Sequence, residues 1–240
     1  MPATPLSPPA PLAPLTPHYR LHRDPRSSHQ QISTLLKQLR PQAILDVGAA
    51  QGILAELLQG TGLLLDAIEP NADWALHARP LYRRVFDCTV EQAIAQGLAP
   101  GGYDAIVCAD VLEHVPDPAA VLKALQQAAA PGATFIISVP NVAHIAVRFM
   151  LMFGYFPAMD RGILDRTHLH FYTKDTAADM LKSTGLRIEA VYGTGVPLDE
   201  VFKRGEGKWW FNLLTRSQHL ALSVAPRLTA MQWVFVAKMA

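Results

Sequence analysis

The sequence predicts an α/β protein, a seven-stranded, mostly parallel sheet with one antiparallel strand and helices on both faces. Three observations carry this. First, the stretch 43–54 is an apolar run with Asp46 near its end, then a small-residue turn, then Leu54, Leu57 and Leu58 at helical spacing. Second, apolar runs at 63–70, 84–88, 103–110 and 134–141 alternate with helix-periodic stretches, the pattern of strand–helix–strand units. Third, two late runs, 186–192 and 233–238, read as the last strands, the second able to insert antiparallel.

Composition bounds the answer. Half of the 240 residues are hydrophobic and 17% are charged, which suits one folded domain with a sizeable core. A net charge of +1 argues against a broad nucleic-acid footprint. Cys88 and Cys108 have neither disulfide-framework nor metal spacing and read as small reduced core residues. No apolar run reaches the roughly 18 residues of a membrane span. The start lacks a basic segment and a continuous apolar one, so the cytoplasm is the expected location.

The elements follow in order. Prolines at 2, 5, 8, 9, 11, 14 and 17 make 1–17 a disordered, polyproline-like tail, leaving 18–240 as one domain. Ile32, Leu35, Leu36 and Leu39 form a helix face after Ser27, and Pro41 stops it. Asn71 caps a helix that Pro80 ends. Thr89 and Gln92 form a capping box after the third strand. Asp117 and Pro118 open a helix that Pro131 and Gly132 close. Thr173 caps a helix ending at Gly185. Between the last strands, 199–227 reads as a helical cover, with Lys208, Trp209, Trp210 and Phe211 suited either to packing or to a membrane interface.

The first turn carries the chemistry. Glycines let backbone approach a ligand where a Cβ would clash, and the helix N-terminus offers unpaired N–H groups. Gly48, Ala50 and Gly52 stand two apart, with Asp46 two ahead, and Ile53 occupies the place of a dinucleotide pattern's third glycine. This stretch resembles motif I of class I S-adenosylmethionine-dependent methyltransferases, D-x-G-x-G-x-G. Ala50 replaces the middle glycine and is expected to keep φ below zero. Glu69, 17 residues beyond Gly52 at the end of the second strand, can accept hydrogen bonds from both hydroxyls of a ribose.

Two longer strings strengthen the resemblance, which covers about residues 30 to 190. Residues 110–118 are similar to the D-V-L-E-H-V-x-D-P signature of a large methyltransferase group that includes the ubiquinone-pathway O-methyltransferases. Residues 162–173 are similar to a G-I-L-D-R-T-H-L-x-F-[FY]-T string of a subgroup linked to glycan, lipid and secondary-metabolite pathways. The resemblance implies a Rossmann-like sheet, S-adenosylmethionine as cofactor and a small-molecule acceptor. It implies cofactor contacts from Asp46, Gly48, Ala50, Gln51, Gly52, Glu69 and Pro70. It places Asp87 against the adenine amino group, with Cys88 backbone beside the ring, and Ala109 and Asp110 beside the sulfonium. It reads 142–172 as an acceptor lid. Alternation would put Arg166, His168 and His170 on one face of that lid's extended segment, with an Asp165–Arg166 pair as the plainer reading.

An oxygen acceptor of high pKa needs a base, and His114, His144 and His168 are the candidates. Glu113 and His114 also read as a hydrogen-bonded loop support. With Asp110 they resemble a D/E-x-x-E-H metal cluster of some relatives, although no further ligand is evident in the sequence. The competing functions are a non-catalytic scaffold of the same fold and an NAD-dependent oxidoreductase. Ala50 and Ile53 speak against the latter.

Overall fold

The computed structural model describes residues 24–202 and 207–239. The proline-rich tail lies outside them. The chain runs α1 (Ser28–Leu39), β1 (Ala43–Val47), α2 (Ile53–Leu58), β2 (Leu64–Ile68), α3 (Ala72–Ala78), β3 (Arg84–Phe86), α4 (Val90–Ala95), β4 (Tyr103–Ala109), α5 (Pro118–Ala128) and β5 (Ala129–Pro140). Then come α6 (Ile145–Met152), α7 (Lys174–Ser183), β6 (Leu186–Gly193), α8 (Leu198–Val201), α9 (Trp209–Val224), α10 (Pro226–Thr229) and β7 (Gln232–Met239). The seven strands lie in the order β3-β2-β1-β4-β5-β7-β6. The first five pair in parallel, and β7 runs antiparallel between β5 and β6.

Strand alternation splits the core between the two faces of the sheet. Leu45, Ile106, Phe135 and Phe235 pack with Leu122 and Leu125 of α5 on one face. Ile44, Ile136 and Val234 pack with Ile32 and Leu36 of α1 and Leu54 of α2 on the other. Both cysteines are buried free thiols. Asn71, Thr89, Asp117 and Thr173 cap their helices as the sequence expects.

Asp66 ties the β2–β3 edge together from the interior. It is fully buried. Its carboxylate accepts hydrogen bonds from Arg83 at 2.8 and 2.7 Å, from Arg84 at 3.1 and 2.7 Å and from the Tyr103 hydroxyl at 2.7 Å. Burial alone would raise its pKa, but these donors overcome that and hold it at about 2.

Two expectations are corrected. Pro131 and Gly132 do not close α5, which ends at Ala128. They lie inside β5, on its exposed leading end, where Gly132 takes φ +78° before regular pairing with β4 starts at Thr134. The 162–173 string is not an extended segment. Asp165 folds it into a turn, its Oδ1 accepting the N–H (2.8 Å) and hydroxyl (2.7 Å) of Thr167. The period-two rule therefore fails there, and Arg166 pairs with Asp160, not Asp165.

Candidate active site

The loop after β1 is built around left-handed backbone. Gly48, Ala50 and Gly52 have φ of +71°, +47° and +95°. A Cβ on Gly48 would fall 2.6 Å from Cγ2 of Val111, so the missing side chain lets the segment after β4 close in. The expectation of a negative φ at Ala50 is wrong. The conformation costs an alanine roughly 1–2 kcal/mol, and here it delivers the Ala50 N–H to Glu69 Oε2 at 2.7 Å. Glu69 Oε1 accepts the N–H of Asn71 at 2.8 Å. Burial raises the Glu69 pKa, and these two donors act against it.

Asp46 is buried beneath this loop and accepts the Tyr82 hydroxyl at 2.5 Å. Burial pushes its pKa up to about 7; Tyr82 counters this and the Glu69 charge adds to it. Tyr82 enters from the segment before β3, and nothing in the sequence marks it as a partner of Asp46.

A cleft of about 1350 Å³ opens at the carboxyl ends of the parallel strands. Asp46, Gly48, Ala50, Glu69, Pro70, Ala109 and Asp110 line it together, and so do His114 and His168. Gln51 and Gly52 belong to the same turn but not to the wall. Gln51 Nε2 is buried without a partner. Gly52 starts α2, and a Cβ there would meet Leu81 Cδ1 at 2.6 Å. Asp87 and Cys88 are not on the wall either. Asp87 pairs with Arg79 at 3.0 Å and Cys88 packs into the core, while Thr89, Val90 and Glu91 line the cleft. His144 stands apart as the N-cap of α6, its Nδ1 accepting the N–H of Ala146 at 3.2 Å.

The other half of the cleft centres on Asp110, which has φ +57°. Ser138 Oγ donates to Asp110 Oδ1 at 2.8 Å, and Gln232 Nε2 donates to Oδ2 at 2.7 Å. Neither partner is marked in the sequence. Glu113 is fully buried, and neither carboxylate oxygen has a hydrogen-bond partner. Burial drives its pKa well up, and Asp110 adds to the shift. Its backbone carbonyl accepts the N–H groups of Leu169 and His170 at 2.7 and 3.2 Å, which ties the 162–173 string to the loop after β4. The His114 and His168 rings meet edge to face, 4.8 Å between centroids. Burial and His114 lower the His168 pKa. His168 Nδ1 lies 3.1 Å from the Ile163 carbonyl; with the proton on that nitrogen, Nε2 is left as a free base. Glu113, His114 and His168 offer ligand atoms within 4.8 Å of one another, a set able to hold a metal ion. The sequence pattern joins the first two, and the 162–173 string supplies the third.

The chain matches the methyltransferase domain family over residues 18–191. It is 30% identical over 177 residues to a ubiquinone biosynthesis O-methyltransferase of Thiobacillus denitrificans, covering 69% of this chain and 73% of that one. It is 31% identical over 172 residues to the Aeromonas salmonicida protein of the same name, covering 68% and 71%. Among solved structures, a SAM-dependent methyltransferase from Archaeoglobus fulgidus shares the fold with a TM-score of 0.57 at 15% identity, over 89% of this chain and 95% of that one. The magnesium protoporphyrin IX methyltransferase of Synechocystis, with bound SAH, does so with 0.58 at 16%, over 88% and 82%. The glycine turn, the acid at the end of β2 and the strand order thus meet in one assignment: the chain belongs to the methyltransferase domain family.

Proposed function

We propose that this methyltransferase transfers the methyl group of S-adenosylmethionine to an oxygen of a small-molecule acceptor. The observation that carries the reading is a single cleft lined both by the Glu69-braced glycine turn and by the His114–His168 pair. At about 1350 Å³ it exceeds the roughly 300–1,000 Å³ of a pocket for one small molecule. Cofactor and acceptor therefore fit together.

The residues present fit the cofactor. Gly48 and Ala50 bring backbone to the cleft wall, and Glu69 spends one lone pair of each oxygen on Ala50 and Asn71, leaving others for ribose hydroxyls. When bound, S-adenosylmethionine supplies a methyl group already activated on a sulfonium. The protein's task is then to align the acceptor, exclude water and hold its proton. His168 takes the acceptor proton at Nε2, with Ile163 orienting the ring through Nδ1. Burial, with His114 beside the ring, lowers the His168 pKa and so keeps it available as a base.

The lid supports a partly apolar acceptor. Phe149, Met152, Phe153 and Tyr155 are each more than half exposed on it. Such a surface suits a lipid-linked or quinone-like intermediate and contact with a membrane surface. No helix among the described residues is long and apolar enough to cross a membrane.

Replacing His168 by alanine is expected to lower kcat by roughly 10²–10⁴-fold with S-adenosylmethionine affinity unchanged. Full turnover by both His168→Ala and His114→Ala would reject the base. The unpartnered Glu113 carboxylate favours a second reading, a divalent cation held by Glu113, His114 and His168. Retained activity after exhaustive chelation would exclude it.

A further inference from the structure

A second, smaller cavity of about 130 Å³ lies next to the cleft. Its wall includes Asn141, Arg148, Lys174, Asp175, Arg227 and Trp233. Pro140 and Gln232, the chain neighbours of Asn141 and Trp233, line the cleft itself, so the two spaces lie one residue apart along β5 and β7. Three cations and one carboxylate face this cavity. Asp175 is already engaged, accepting two hydrogen bonds from Arg227 at 2.6 and 3.0 Å. Arg148 uses Nε on the Ala143 carbonyl at 2.7 Å, which leaves its terminal N–H groups. Among the described residues neither Arg148 nor Lys174 meets a carboxylate.

Trp233 supplies an independent indication. It is 2% exposed, and its Nε1 is buried with no hydrogen-bond partner. A buried donor is normally paired, so an acceptor supplied from outside the chain would complete it. Lys174 Nζ sits 5.3 Å from the centroid of the same indole, which places an ammonium against the ring. Lys174 is also the first residue of α7, so the positive end of that helix adds to the local field.

We propose that this cavity is an oxyanion subsite that takes a phosphoryl group. Donors come from α6, α7 and β7, and a tetrahedral group with three free oxygens answers three directions better than a planar carboxylate does. With the cavity one residue away from the cleft along two strands, we assign the phosphoryl group to the methyl acceptor. That last step rests on the methyltransferase reading.

The test is a titration of the full-length protein with inorganic phosphate, followed in ¹H–¹⁵N spectra against chloride at matched ionic strength. The Trp233 indole signal is assigned by its loss in Trp233→Phe. It should shift saturably with phosphate and stay still with chloride. In Arg148→Gln/Lys174→Gln, calorimetry should show phosphate affinity lowered by roughly tenfold or more, with S-adenosylmethionine affinity unaltered. An indole that ignores phosphate, or responds equally to chloride, overturns the subsite. Failure of the wild type to bind S-adenosylmethionine would instead strike the methyltransferase reading alone. Competition then separates the sources. Displacement by phenyl phosphate assigns a soluble phosphomonoester, and displacement only by phosphatidate vesicles over phosphatidylcholine ones assigns a lipid headgroup. Displacement by neither overturns the link to the acceptor.

Discussion

Glu69→Ala should weaken S-adenosylmethionine binding by about 10²–10⁴-fold. Two hydrogen bonds from ribose hydroxyls to a carboxylate contribute about 1.5–3 kcal/mol each. The same substitution frees the N–H groups of Ala50 and Asn71, so the turn that meets the cofactor loosens as well. Glu69→Gln separates the two effects. Its amide has one acceptor oxygen for two backbone donors, and its NH₂ must face one of them. An intermediate loss, roughly 10–100-fold, is expected. Calorimetric titration with S-adenosylmethionine and S-adenosylhomocysteine measures both, with circular dichroism to confirm the fold. NAD(H) in the same cell should give no heat. An unchanged Kd in Glu69→Ala would remove Glu69 from the cofactor site.

Asp66→Ala should act on stability and leave binding alone. Removing the buried acceptor leaves a buried hydroxyl and two half-exposed guanidinium groups without their partner, which costs about 1–3 kcal/mol. Here the stranded groups are Arg83, Arg84 and the Tyr103 hydroxyl. Asp66 does not line the cleft, so the folded variant keeps the wild-type cofactor Kd. Urea unfolding at neutral pH reads the loss. The pH dependence has a definite sign. The folded pKa of about 2 lies below the ordinary 3.8, so the contribution is present above pH 3.8 and disappears as pH falls through 2. The gap corresponds to about 2.5 kcal/mol. Asp46 has the opposite sign. With a folded pKa of about 7, its carboxyl favours folding when protonated, and stability declines as pH rises between about 4 and 7. Asp46→Asn should flatten that decline in urea titrations across the same range. A slope unchanged by the substitution would assign it to another group.

What was readable in the sequence is what depends on neighbours in the chain. The β1 turn, the acid after β2 and the caps at Asn71, Thr89, Asp117 and Thr173 are local patterns, and they form, whereas Ser27, the expected cap of α1, makes no side-chain cap bond. So does the alternation that filled both faces of the sheet. The unreadable parts depend on pairing over distance. Tyr82 reaches Asp46 across 36 positions and Gln232 reaches Asp110 across 122. His168 joins Glu113 and His114 because the 162–173 string folds back, and its lining role follows from turn geometry that Asp165 imposes. Asp87 pairs with Arg79, the C-cap of α3, and no local pattern in the chain marks that pair. Ala50 was misjudged for a related reason. The partner that offsets its left-handed backbone is Glu69, 19 residues on.

Gln232 is the first residue of β7, the last strand to be made, and it holds Asp110. During synthesis, β1, β2 and the turn between them with Glu69 leave the ribosome well over a hundred residues before Gln232 does. Asp110 therefore gains its second clamp only after β7 has been made. The wall of the cleft around it takes its final form only when β7 slots antiparallel between β5 and β6. That wall of the cleft is thus completed by the strand made last of the seven, and a chain cut before β7 would leave Asp110 held by Ser138 alone.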